Sequence, residues 1–338
     1  MPYPSNPAVH LGGNANSPAT LSSLPSDLLT RILHLLDGPS LAAISCTSSH
    51  LRALSSDPAL WRRLCRATWP SSNHPRVSCI VSAAFPSAHR SFFSDAFPLL
   101  PLHPLPPRLP SPPHQLVSAV DLRHRSAPVF SALVETETRT GWFFSSPFRV
   151  DALDRKDPSP PAAAALSADS LAADLTLSWI VIDPARGRAA NVASLRPVSV
   201  QRHWFSGEIQ ARFAAVLETE RAGEWAACSV VVACGERGEK GRGLQVREVS
   251  MVVEDMDGMS LNGRDSLVIL QGAMEGKRAA LGGRDMEEVM RERYSEFLER
   301  KKERKEKKMR REGRLDLACI LMGVSVFASF LGWIFSRG

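Results

Sequence analysis

Large apolar residues recur along this chain in three rhythms, and each predicts a different kind of structure. Between Leu24 and Trp69 the spacing is helical. Leu28, Leu29, Ile32, Leu33, Leu35 and Leu36 fall three and four apart and cover more than one face of a helix. Pro25 suits its start, because its fixed φ is already helical and its missing N–H would have no partner there. Asp27 follows at the positive end of the helix dipole, and Asp37-Gly38-Pro39 supplies the stop. Shorter helices carry Leu41 and Ile44, then Leu51 and Leu54, then, behind Asp57-Pro58, Leu60, Trp61 and Leu64. A bundle of about 45 residues is near the lower limit for independent folding. So many large apolar residues in so small a unit predict that some of them face a partner.

From Leu116 to Leu270 the rhythm shortens to alternation. It predicts strands at 116–122, 129–135, 142–150, 175–182, 189–195, 198–204, 209–217, 225–233, 244–253 and 267–270. Turn signals such as Asp183-Pro184, Arg186-Gly187 and Asn262-Gly263 separate them. Many short strands without long helices between them point to an antiparallel sandwich or barrel. The Pro- and Ala-rich stretch 154–173 reads as a surface loop, and the Gly-rich stretch 235–243 as a hairpin connection.

The third rhythm is a long helix over 285–314, striped by Met286, Val289, Met290, Tyr294, Phe297 and Leu298 and then almost wholly charged, with Gly313 expected to weaken it. Leu315–Phe335 follows, 21 residues carrying one charge, Asp316. As a helix it is about 31 Å long, the thickness of a bilayer's hydrocarbon core. Trp333 sits near one edge, where interfacial tryptophans concentrate. A membrane span fits this segment better than a buried core helix, and ten basic residues against three acidic ones in 300–314 place the preceding bulk of the chain on the cytosolic side. A span so close to the chain's end implies tail anchoring, in the endoplasmic reticulum or the mitochondrial outer membrane.

The intervening segments complete an α+β organisation. Residues 1–20 hold turn formers and almost nothing to bury, and read as disordered. Residues 21–70 are the helical bundle, and 71–97 a helical extension bearing Phe85, Phe92, Phe93 and Phe97. Residues 98–113 hold eight prolines in sixteen positions, a stiff extended spacer. Residues 114–275 form the β-rich domain, 285–314 the basic helix and 315–335 the transmembrane helix.

In the bundle, the order Leu24-Pro25-Ser26-Asp27-Leu28-Leu29, Ile32-Leu33, Leu41, Ile44, Cys46 and Leu60-Trp61-Arg62-Arg63-Leu64-Cys65 resembles an F-box, from its Leu-Pro opening to its Leu-Trp close. The middle segment Cys46–Arg52 is smaller and more polar than in many members. The resemblance implies docking onto the small adaptor subunit of an SCF-type ubiquitin ligase and, through it, onto the cullin, with the rest of the chain recruiting a protein substrate. The residues it assigns to the adaptor are Leu24, Pro25, Leu28, Leu29, Ile32, Leu33, Leu41, Ile44, Leu60 and Trp61. A fainter likeness to phloem-lectin-type sandwiches surrounds Trp179, Trp204 and Arg212-Phe213. It leaves a glycan-binding alternative open, beside that of a membrane-anchored scaffold using its F-box outside a ligase.

Charge and candidate chemistry narrow this further. The net charge of +6 comes from 300–314, which alone contributes +7 (ten basic minus three acidic), so the remainder is −1 and no nucleic-acid partner is implied. Six cysteines are scattered without Cys-x-x-Cys spacing, and the N-terminus has no apolar signal core, which suits reduced thiols in a cytosol-facing chain. No histidine is spaced with Cys, Asp or Glu as a metal site requires. The Gly-rich stretch lacks the Gly-Lys-Ser/Thr of a phosphate loop. No catalytic residue, cofactor or metal is expected, and the chain reads as a non-catalytic adaptor.

Overall fold

The computed structural model describes residues 24–97, 112–154, 167–204, 207–219, 221, 223–236, 244–276, 278 and 283–337. The expected N-terminal disorder, nearly all of the Pro-rich spacer and the tip of the Gly-rich connection lie outside these residues. The chain divides into two compact units, Met1–Leu64 and Cys65–Gly338.

The first unit contains α1 (Ser26–Leu33), α2 (Gly38–Ile44), α3 (Ser49–Ser55) and the start of α4 (Pro58–Thr68). Polar residues before three of these helices satisfy N–H groups that have no partner within the helix. The Asp37 carboxylate accepts from Ser40 N at 2.9 Å, Ser48 Oγ from Leu51 N at 3.2 Å, and the Asp57 carboxylate from Ala59 N at 2.9 Å. The Ser40 hydrogen bonds hold the Asp37 pKa below its ordinary value. Trp61 is buried and donates its indole N–H to Ser55 O at 2.7 Å, which ties α4 to the end of α3.

The second unit is a sandwich of two antiparallel sheets. One has the order β2 (Ala127–Glu137), β1 (Gln115–His124), β4 (Leu175–Asp183), β5 (Arg188–Asn191); the other has β3 (Arg149–Leu153), β9 (Leu244–Asp255), β8 (Trp225–Glu236), β7 (Ile209–Glu218), β6 (Ser199–Arg202). Alternation decides which residues line the core. Val120 and Leu122 of β1, Leu177, Trp179 and Val181 of β4, Ile209, Ala211 and Phe213 of β7, Val230 and Val232 of β8, and Val249 and Met251 of β9 join one buried cluster.

The opposite face of the first sheet is covered by residues 69–96. Trp69 donates its indole N–H to Ser178 Oγ at 3.1 Å and packs edge-on against Phe92. The turn Pro70–Asn73 is pinned by Asp121, whose carboxylate accepts from Ser71 N at 2.8 Å, Ser71 Oγ at 2.5 Å and Ser131 Oγ at 2.8 Å. Helices α5 (Pro75–Ala84) and α6 (His89–Ala96) complete this layer. Asp95 at the end of α6 accepts from Ala189 N of β5 at 3.2 Å. The aromatic residues of the helical extension therefore belong to the sandwich unit.

Two expected strands are helical. Residues 142–150 divide into α7 (Gly141–Ser145) and β3, because Thr140 Oγ1 accepts from Phe143 N at 3.1 Å and caps a helical turn ahead of Pro147. Residues 267–270 lie in α9 (Gly263–Glu275), capped by Asn262 Oδ1, which accepts from Asp265 N at 2.9 Å. The run Leu267-Val268-Ile269-Leu270 has β-like composition, but a helix buried on most sides lets it fill one end of the core. A third expectation fails in part: the predicted loop 154–173 ends in α8 (Ala168–Asp174), which buries Leu171. Gly313 does not interrupt the last helix, α10 (Gly283–Arg337), which is continuous over 55 residues.

Two substitutions test this architecture. Gly187 turns the β4–β5 hairpin with φ +60°, and a Cβ there would stand 2.1 Å from Ala84 O. Gly187→Ala is expected to cost about 2 kcal/mol or more in urea unfolding, since it combines a disfavoured φ with a backbone clash. At Asp121, burial outweighs the Ser71 and Ser131 hydrogen bonds and raises the pKa above its ordinary 3.8. A raised folded-state pKa contributes stability below the unfolded value and loses it as pH climbs through the folded value. Separately, Asp121→Ala should cost about 2–4 kcal/mol by leaving Ser71 N–H and two hydroxyls unpaired. Asp121→Asn should gain on wild type as pH rises above about 4 and then level off.

Candidate functional site

The ten bundle residues assigned to a partner do not share one environment. Leu29, Leu33, Leu41, Leu60 and Trp61 are buried, Leu24 and Ile44 are half-buried, and Pro25, Leu28 and Ile32 are exposed. The first group forms the bundle's interior, and only the others present side chains outward. Leu35, outside that assignment, is the most exposed large apolar residue of the bundle. It is 85 % exposed, against 45 % for Leu28 and 41 % for Ile32. Leu28 and Ile32 stand four apart on one side of α1, with Leu35 in the turn that follows, while Leu29 and Leu33 stand four apart on the buried side. Helix α1 thus has two apolar faces, one covered by its own bundle and one open to solvent.

A second site lies in the sandwich unit, where α10 crosses the outer face of β7 and β8. Phe297 and Tyr294 are buried there against Ala214, Val216, Trp225, Ala227 and Met256, and Met290 packs on Ala215. Beside the helix, a cavity of about 410 Å³ opens over Gln210, Arg212, Ser229 and Val231, with Tyr294 and Lys301 on its wall. Glu254 is shared there by two cations, Arg212 Nη1 at 3.3 Å and Lys301 Nζ at 3.2 Å. Burial raises the Tyr294 pKa, opposed by Arg212. Volume and lining suit a small polar group.

Further along α10, the Arg300 guanidinium stacks 3.9 Å over the Trp225 ring. Arg304 reaches both Glu224 at 2.6 Å and Asp257 at 3.0 Å. Beyond Arg304 every side chain through Arg337 is exposed, including Leu317, Ile320, Leu321, Phe327, Phe330 and Trp333. This is one helix long and apolar enough to cross a membrane.

The residues of the lectin likeness are not brought together. Trp179 and Phe213 lie in the core between the sheets, Arg212 points to the opposite face, and Trp204 stands 88 % exposed after β6. Burial pushes the thiols of Cys65, Cys228 and Cys234 up to about 12, so they remain protonated and unreactive at neutral pH. Among the described residues no group of three or more His, Cys, Asp or Glu could hold a metal ion.

Comparison with known proteins covers both units. A family model described as F-box-like matches residues 21–67. The chain is 44 % identical over 313 residues to Probable F-box protein At2g36090 of Arabidopsis thaliana, covering 91 % of each chain. It is 41 % identical over 335 residues to F-box protein At2g27310 of the same plant, covering 94 % of this chain and 97 % of the relative. With F-box protein At3g44326, also of Arabidopsis thaliana, identity is 40 % over 323 residues, covering 91 % of this chain and 87 % of the relative. No solved structure matches the chain. Similarity that runs through the sandwich and α10 as well as the bundle places the whole chain, and not only its first unit, in the family: it is an F-box protein.

Proposed function

We propose that this protein is the client-receptor subunit of an SCF-type ubiquitin ligase and that it works at a membrane surface. It performs no chemistry itself. It would hold a client at high effective concentration beside the transferring enzyme. The observation that carries the reading is the open apolar patch of Leu28 and Ile32 on α1 and Leu35 in the turn that follows it, backed by the buried Leu29 and Leu33. An apolar face left uncovered by its own bundle marks a protein-binding surface, and membership of the F-box family points to the ligase adaptor as its partner. Leu24, Pro25 and Ile44 would extend the contact, while Leu29, Leu33, Leu41, Leu60 and Trp61 would support it from within.

The membrane part rests on residues 315–335, whose apolar side chains are exposed all round the helix. Water would not tolerate so large an apolar surface, whereas a bilayer would solvate it. The basic residues ahead of the span would lie against anionic lipid on the cytosolic side, at about 1 kcal/mol each near the surface. The sandwich, with its cavity beside α10, would be the client-recruiting part, and the span would sit in the endoplasmic reticulum or the mitochondrial outer membrane.

Leu28→Asp combined with Ile32→Asp is expected to weaken adaptor capture at least tenfold, about 1.4 kcal/mol, while helical circular dichroism and thermal midpoint stay near wild type because both sites are exposed. Retained adaptor binding in a folded double variant would exclude this face. The span is tested by carbonate extraction, where the full chain should remain in the membrane pellet. A glycosylation acceptor added after Gly338 should be modified if the endoplasmic reticulum is the host membrane. Release of the chain into the carbonate supernatant would refute the anchor.

A further inference from the structure

The basic run does two different things along one helix. Of its ten cations, Arg300, Lys301 and Arg304 are engaged by the sandwich, through Trp225, Glu254, Glu224 and Asp257. Lys307 and Arg310 pair within the helix, with Glu303 at 3.5 Å and Glu306 at 3.7 Å. These are i,i+4 pairs with the acid first, the orientation that supports a helix. Lys302, Lys305, Lys308, Arg311 and Arg314 make no ion pair among the described residues. From Lys305 onward no other described part of the chain covers α10, and yet the helix continues without a break into Leu315–Phe335.

We infer that α10 is a rigid strut that fixes the sandwich at a set height over the bilayer, with one defined end facing the lipid. Residues 304 and 315 are eleven positions apart in a continuous helix, a gap of about 16 Å. The end that faces the membrane is the one gripped by Arg304: the β7–β8 turn with Glu224 and the β9–α9 turn with Asp257. The grip has four independent parts. Phe297 and Tyr294 are buried on the sheet, Arg300 stacks on a buried tryptophan, Lys301 meets a carboxylate shared with Arg212, and Arg304 bridges two turns. A domain on a flexible tether needs none of these, since a loose basic linker would serve lipid binding equally well. Gly313 is the weakest point of the rod, with no Cβ and open space around it.

The inference rests on the membrane reading, and the experiment separates the two. The full chain is reconstituted in vesicles of phosphatidylcholine and phosphatidylserine, with a fluorescent amino acid at the exposed position Met259 and energy acceptors on lipid headgroups. The wild-type chain should give one narrow height distribution. Ten Gly/Ser residues inserted between Lys305 and Glu306 should broaden it by about 17 Å, the root-mean-square reach of such a linker, while the protein still resists carbonate. Gly313→Ala should leave the wild-type distribution unchanged. A carbonate-resistant wild-type chain whose distribution is already as broad as that of the insertion variant would overturn the strut and spare the anchor. Narrowing by Gly313→Ala would show a hinge at 313 and also overturn it. A chain that carbonate releases would remove the anchor and the strut together.

Discussion

The seam between α10 and the second sheet is the contact on which the rest of the second unit's organisation depends. Phe297, fully buried, closes the outer face of β7 and β8 over Ala214, Val216 and Ala227. Without that cover, these strands would expose an apolar outer face opposite the one packed in the core. The same helix then carries its charges past the sheet edge and becomes an apolar rod. Core packing, the polar cavity beside Arg212 and the exposed apolar segment are therefore consecutive parts of one element, and its sequence changes character where its surroundings change.

The bundle follows a related logic at smaller scale. Helix α1 has apolar residues on more than one face, one closing the bundle's interior and one left open to solvent. Leu29 and Leu33 close the interior, while Leu28, Ile32 and Leu35 remain outside. A domain this small cannot bury everything it carries, and the surplus is what a binding surface requires. Capping by Asp37, Ser48 and Asp57 fixes the short helices whose lengths alone would leave them marginal.

Much of this was legible in the residues. The α+β class, the antiparallel pairing, the hairpin at Asp183–Gly187 and the apolar C-terminal helix all follow from periodicity and turn chemistry. The two mistaken strands failed for a shared reason. Phe143-Phe144 and Leu267–Leu270 are short apolar runs whose composition suits either state, and caps at Thr140 and Asn262 decided the matter. Gly263 follows Asn262 because a Cβ there would meet Phe143 O at 2.1 Å, a tertiary constraint with no local trace. The polar staples were equally invisible. Nothing in the sequence pairs Ser71 with Asp121, or sets the Arg278 guanidinium among the carbonyls of Asp95, Ala189, Ala273, Met274 and Gly276. In the bundle, pattern placed the apolar residues on a helix, but only burial separates those that face outward from those that form the interior.

The central claim joins a ligase-binding face to a membrane span in one molecule. Its most direct test is flotation of vesicles carrying the reconstituted full chain, mixed with purified adaptor and cullin. The account predicts that adaptor and cullin rise with the vesicles in a stoichiometric complex. They should stay at the bottom of the gradient when the chain lacks residues 315–335. Vesicles that float with the full chain but without adaptor and cullin would contradict it.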